Sequence, residues 1–329
     1  ASLGPKAGSA RTGGRFPCGL ALSQLGYLET INFSFVPENW ENDLAGQTDP
    51  IRLLNPIASD MNVMRSSLMG SLLSVLKRNL DRKASRVRVF ELGRVFQRDA
   101  SVTTSTANVA GIAQPLRVGG LAYGSTAPTQ WAVPEQSVDF YDVKADVEAL
   151  LSPRQPTFTA AEHPALHPGR SASILIQGKV IGFIGELHPK WRQNWDLPKA
   201  PVLFELDLDA VLHRDLPHAQ TLSKFQPVER DVAVIVKDNI SHDALIASAM
   251  QARQTAAGSI LQQTVLFDIF RPNAKAPETT SWLASDEKSV AIRLLLQSTD
   301  AALTEEQIES ARQAVIQQLS NNLGARLRA

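Results

Sequence analysis

Three histidines, each followed by proline, stand in HPALHPGRSASILIQGKVIGFIGELHP: His163, His167 and His188. Residues i and i+4 on a helix share a face, which is how many zinc sites are built. Pro164 and Pro168 argue against a regular helix here, because proline lacks an N–H and restricts the residue before it. The four-residue spacing then loses its geometric meaning. No third Cys or His falls at a ligand-like interval, and H-E-x-x-H is absent. The histidines read as structural groups hydrogen-bonding loops at strand ends, and no metal is expected.

Other chemistries fare no better. A phosphate cradle needs glycines in a set pattern, and neither RTGGR nor RVGGLAYG has G-x-G-x-x-G or G-x-x-x-x-G-K-[ST]. Cys18 has no histidine near it in sequence, and G-x-S-x-G is missing. Asp139 and Asp142 could act as paired carboxylates, but they open a helical stretch, where the helix N-terminus favours negative charge. No catalytic residues and no bound cofactor are expected in this chain.

The elements that position these residues follow from pattern. At 329 residues there is room for about two or three domains. Hydrophobic residues at 43% and charged residues at 20% describe an ordinary soluble protein, without a run long enough for a membrane span. One cysteine cannot form an internal disulfide, and a cytoplasmic location is expected. Residues 1–18 lack the apolar core of a signal peptide and read as a leader or linker, as in a piece of a longer protein.

LALSQLGYLET reads as a short helix. TINFSFV, with Ile31, Phe33 and Phe35 on one side, reads as a half-buried strand. A helix N-capped by Ser66 would carry Leu68, Leu72, Leu76 and Leu80 along one face, and that helix is a candidate for docking a partner. RVRVFELGRVFQ is apolar on both faces, hence a central strand, and its Glu91 needs a partner if buried. VDFYDVKADVEALL turns helical near Val143; ASILIQG and KVIGFIGEL form a hairpin at Gly178-Lys179, and VLFELDLDAVL is another strand. Residues 19–215 are expected to be α+β, an antiparallel sheet flanked by helices. The boundary falls near 213–222.

Beyond it, VERDVAVIV, a helix capped by Ser241, ILQQTVLFDIF, KSVAIRLLLQ, a helix opened by the Thr304/Gln307 capping box and an edge strand ARLR follow in order. That is the ferredoxin-like βαββαβ plan over 222–329. From Thr221 on there are 11 Lys+Arg against 12 Asp+Glu, so RNA contact must come from local geometry rather than bulk charge. Asp268 and Phe270, two apart on a strand, share a face on which a base could stack. Spacing alone leaves open whether Phe270 stacks on a base or packs beneath the loop RPNAKAPETTSWLASD.

NVMRSSLMGSLLSVLKRN, VRVFELGRVF, VDFYDVKADVEALL, HPALHPGRSASI and GFIGELHP, then KFQPVERDVAVIV, VLFDIF, EKSVAIRLLLQ and LTEEQIE, resemble the C-terminal part of the bacterial phenylalanyl-tRNA synthetase β subunit. The resemblance runs from about Leu20 to the end. It implies a non-catalytic class II synthetase-like module followed by a ferredoxin-like anticodon-binding domain. It also implies packing on a catalytic α subunit in an α2β2 assembly, with tRNA bound and ATP and Mg²⁺ consumed by the assembled enzyme. An intact β subunit would carry tRNA-binding and editing modules ahead of this piece.

Carried over by residue, the family's F-D-x-Y becomes Phe267, Asp268 and Phe270, keeping the ring and losing the hydroxyl. K-S-L-A becomes Lys288, Ser289, Val290 and Ala291, with Arg293 further along that strand. The resemblance thus implies tRNA contacts by Asp268, Phe270, Lys288, Ser289 and Arg293. Two departures stand out: the extended loop between the motifs, and Ala301-Ala302 where the family often has a basic residue. Two rivals are an independent class II enzyme, which would need an ATP-binding arginine not evident here, and a free-standing RNA-binding module, which leaves the large first domain unexplained.

Overall fold

Val87, Val89 and Leu121 lie in one apolar cluster while Phe90, Val118 and Ala122 lie in another, so a single sheet separates two cores. Alternating side chains point to opposite faces of a strand, and both faces here are covered. The computed structural model describes residues 11–12, 14–105, 109–214, 222–271 and 283–328. It divides into two units, Ala1–Pro217 and His218–Ala329.

In the first unit the sheet comprises seven strands among the described residues: β1 (Leu28–Glu29), β2 (Val87–Arg94), β3 (Leu116–Tyr123), β4 (Thr157–Ala160), β5 (Leu166–Ile176), β6 (Lys179–Leu187) and β7 (Val202–Asp207). Their order is β1-β2-β3-β7-β6-β5-β4, antiparallel except for the β1-β2 pair. Helices α1 (Arg15–Gln24) and α3 (Phe140–Leu151) supply one core, and α2 (Met69–Asp81) the other. The architecture is the expected α+β, an antiparallel sheet with flanking helices.

Several local expectations change. Helix α1 begins at Arg15, inside the stretch read as leader, and buries Cys18. Helix α2 is not capped by Ser66, whose hydroxyl and N–H are both given to the buried Glu41 carboxylate. Leu68, Leu72 and Leu76 are buried in the unit's own core, so they are not a docking face. Of TINFSFV only Phe35–Val36 forms a strand. Ile31 is 93% exposed and Phe33 is also exposed. The segment is tied by Thr30 N–H to Phe90 O (2.8 Å) and by Arg65 N–H to Ser34 O (2.9 Å), and no described element covers Ile31 and Phe33. The hairpin turn is Gln177-Gly178, one residue earlier than expected, with φ of 51° and 78°, the positive pair a two-residue turn requires.

The glycines of RVGGLAYG serve packing. A Cβ on Gly120 would sit 2.2 Å from the Phe204 ring, so only glycine admits that ring against the strand. Glu91 finds its partner in Arg65, at 2.8 Å, with both side chains almost wholly buried.

The second unit has the expected ferredoxin-like plan. Strand β8 (Val228–Lys237), α4 (His242–Met250), β9 (Leu261–Phe270), β10 (Glu287–Leu296), α5 (Glu305–Leu323) and β11 (Arg326–Leu327) follow in order, and the sheet runs β9-β10-β8-β11. Ser241 caps α4; Thr304 and Gln307 form the capping box of α5, which ends at Gly324 with φ 64°. Val232, Val234, Val236, Val290, Ile292 and Leu294 pack against both helices. Among the described residues of this unit, no helix lies on the opposite face of the sheet. The linker and most of the 271–286 loop lie outside the described residues.

Candidate nucleic-acid interface

After a first register shift between Leu261 and Gln263, strands β9 and β10 stay in register until Leu266 meets Ile292; the next pair is Asp268 with Ala291, and Phe270 pairs with Ser289. Phe267 is the extra residue of a β-bulge. Simple alternation from Val265 would have sent Asp268 and Phe270 toward the helices. The bulge instead places both opposite Ala291 and Ser289, whose strand neighbours Val290 and Ile292 own the helix side. The helix-free face therefore carries Phe267 and Phe270, 51% and 40% exposed, with Asp268 also exposed.

Phe267 was not singled out as a contact, although it belongs to the same F-D-x-F. Its ring lies 5.2 Å from the Arg293 guanidinium. Arg293 is held in turn by Asp231, directly opposite on β8, through two bonds of 2.8 and 2.9 Å, with Glu229 at 3.3 Å. These bonds hold Asp231 below the usual carboxylate range. With its fork occupied, Arg293 seats the Phe267 ring rather than presenting a free cation.

Two sequence-chosen residues do not join this surface as expected. Lys288 stands opposite Val236 on the helix side, 7% exposed, and donates to Asp238 O (2.8 Å) and Ile240 O (2.6 Å). Burial lowers its pKa from the ordinary value. It fastens the β8-α4 loop. Lys288→Met should therefore destabilise the second unit by about 1–3 kcal/mol, the usual cost of leaving buried acceptors unpaired, readable as a lower melting temperature. Ser289 is on the helix-free face but only 3% exposed.

The His-Pro motifs share one geometry. The Nδ1 atoms of His163, His167 and His188 accept from the backbone N–H two residues on, Ala165 at 3.2 Å, Gly169 at 3.0 Å and Lys190 at 3.1 Å. Each ring accepts from the first backbone N–H after the proline and so closes the turn. Among the described residues no group of three His, Cys, Asp or Glu side chains is placed to hold a metal ion. Burial pulls the His163 pKa from 6.5 to about 4. Between those values the unfolded chain binds more protons than the folded one, so stability falls as pH drops through that window. Wild type should lose about 1–2 kcal/mol relative to His163→Asn between pH 7 and 4, after allowance for solvent screening. Equilibrium urea unfolding across pH reads the difference. Asp139 and Asp142 form a capping box on α3, which starts at Phe140 rather than near Val143.

Residues 15–208 match the family model "Phenylalanyl tRNA synthetase beta chain CLM domain", and residues 223–328 match "Ferredoxin-fold anticodon binding domain". The chain belongs to the phenylalanyl-tRNA synthetase beta chain family. The phenylalanine-tRNA ligase beta subunit of Ralstonia nicotianae is 50% identical over 313 residues, covering 94% of this chain and 38% of that protein. That of Burkholderia pseudomallei (strain 1710b) is 48% identical over 308 residues, with 94% and 38% covered. That of Nitrosospira multiformis is 44% identical over 303 residues, covering 92% and 36%. The chain thus spans well under half the length of these beta subunits. The exposed aromatic face of β9 falls within the region matching the anticodon-binding domain of the family. Among the described residues no helix is long and apolar enough to cross a membrane.

Proposed function

We propose that this chain is the part of a phenylalanine-tRNA ligase β subunit that docks on the catalytic α subunit and binds the tRNA anticodon region. It thereby supports ATP- and Mg²⁺-dependent attachment of phenylalanine to tRNA in a cytoplasmic α2β2 enzyme. The observation that carries the reading is the bulged β9 surface. Phe267 and Phe270 offer rings for unstacked bases, and Asp268 offers an acceptor for a base edge. A unit with 11 basic and 12 acidic residues has little to gain from counterion release, so stacking has to supply most of its contribution.

Docking is supported by Leu28, Ile31 and Phe33, apolar side chains exposed along one short segment beside the edge strand β1. A free-standing RNA-binding module leaves them without a use. Mixing the chain with purified α subunit tests the reading by light scattering. Assembly is expected, together with loss of assembly in Ile31→Asp/Phe33→Asp. Failure of the wild-type chain to associate overturns the docking claim. Amino-acid-dependent pyrophosphate exchange is expected only after α is added, and its appearance with this chain alone would place chemistry in the wrong subunit.

A further inference from the structure

On the α2 side of the first sheet, beyond the leucines, lies a cavity of about 230 Å³ whose polar lining includes Gln47, Ser66, Ser67, Gln97, Arg117, His163 and Glu205. A single buried water needs about 10–15 Å³ of such space, so the volume suits a small polar molecule. Arg117 and Glu205 come from adjacent strands, β3 and β7. Glu205 stands opposite Gly119, so the two side chains project on the same face one step apart, while Leu68 and Leu72 close over Gly119 itself.

Their bonding is incomplete in complementary ways. The Arg117 Nε is buried without a hydrogen-bond partner, and no hydrogen bond or ion pair holds this guanidinium among the described residues. Other arginines around this sheet, such as Arg65 and Arg88, are tied to carboxylates at 2.8 Å. Glu205 accepts from Ser67 Oγ (2.7 Å) and from Leu68 N–H (2.8 Å), and both bonds land on Oε2. Its other oxygen is unused. Burial raises the Glu205 pKa and the Arg117 charge lowers it by less, yet Arg117 and Glu205 make no ion pair across the gap they line.

A lone anion in that gap would meet Glu205 and, nearby, Glu41; a lone cation would meet Arg117 and Arg65. A molecule carrying both charges meets neither objection. We propose that this cavity binds a small zwitterion, a free α-amino acid, its carboxylate on the Arg117 fork and its ammonium on Oε1 of Glu205. The neutral His163 ring, tilted 50° against Phe183 at a centroid distance of 5.0 Å, walls the cavity, with Met69 beside it.

Titration of the 329-residue chain with L-alanine, L-leucine and L-glutamine, followed by calorimetry and by amide NMR shifts, tests this. At least one should bind saturably with Kd of about 1 mM or tighter. Acetate and methylammonium, each with one of the two charges, should bind at least about tenfold more weakly, as should the best amino acid to Arg117→Met and to Glu205→Gln. Glutamine at 205 keeps an acceptor for Ser67 and Leu68, and Arg117 holds no partner, so both variants should keep the wild-type melting temperature. Arg117→Lys, which keeps the charge without the fork, replaces Arg117→Met if that variant unfolds. No saturable binding by any of the three amino acids overturns the proposal. So does acetate or methylammonium binding as tightly as the amino acid, or affinity unchanged in the variants.

Discussion

Arg65→Met should destabilise the first unit by about 3–5 kcal/mol, enough to unfold a domain of ordinary stability. The guanidinium pairs with Glu91 at 2.8 Å and reaches Arg94 O (3.1 Å) and Phe33 O (3.4 Å), while Asn32 donates to the other Glu91 oxygen at 2.8 Å. Removing it strands a carboxylate in the middle of β2 with only an amide for company. Replacing both partners removes the lone charge, so Arg65→Met/Glu91→Leu should recover most of the loss. Urea unfolding of the four members of this cycle measures the coupling. A single mutant within about 1 kcal/mol of wild type would mean that the pair is solvated in solution.

The second large effect concerns the rings. Stacking one base on an aromatic side chain is worth roughly 1–3 kcal/mol by alanine substitution. Phe270→Ala and Phe267→Ala in the assembled ligase should each lower tRNA charging by about tenfold or more, since 1.4 kcal/mol is a factor of ten. Adenylate formation without tRNA should be untouched, and Phe270→Tyr should be tolerated because it adds only a hydroxyl at an exposed edge. Arg293→Met is informative in a different way. If its role is to seat Phe267, charging falls while the salt dependence of tRNA binding is unchanged; a phosphate contact would reduce that slope by about one. Equal losses in charging and adenylate formation would count against the interface.

The α+β plan of the first unit and the ferredoxin-like order of the second were legible because each rests on local periodicity and caps. Ser241, Thr304 and Gln307 act where the pattern places them. What stayed hidden depends on contacts far apart in sequence. Ile31, Phe33 and Phe35 alternate as a half-buried strand would, but alternation says only which side chains share a face, not whether anything covers it. Lys288 reads as a surface cation until Asp238 and Ile240 are seen to turn their carbonyls toward it. Phe267 escaped notice because a bulge is a mismatch between two strands, and no single strand contains that information. Asp268 and Phe270 do lie on one face, yet it is the helix-free face only because Phe267 absorbs one residue of register.

The same extra residue bears on how the protein behaves in a crowded solution. Strand β9 is the outer strand of its sheet and bears Val265, Phe267, Ile269 and Phe270, all partly bare. An unpaired edge with that much apolar surface invites a strand from another molecule to zip onto it and seed aggregation. A visiting strand needs an unbroken ladder of backbone groups, and the bulge interrupts that ladder midway and bends the strand there. The irregularity that turns the aromatic rings outward thus also denies a second polypeptide a straight edge on which to grow.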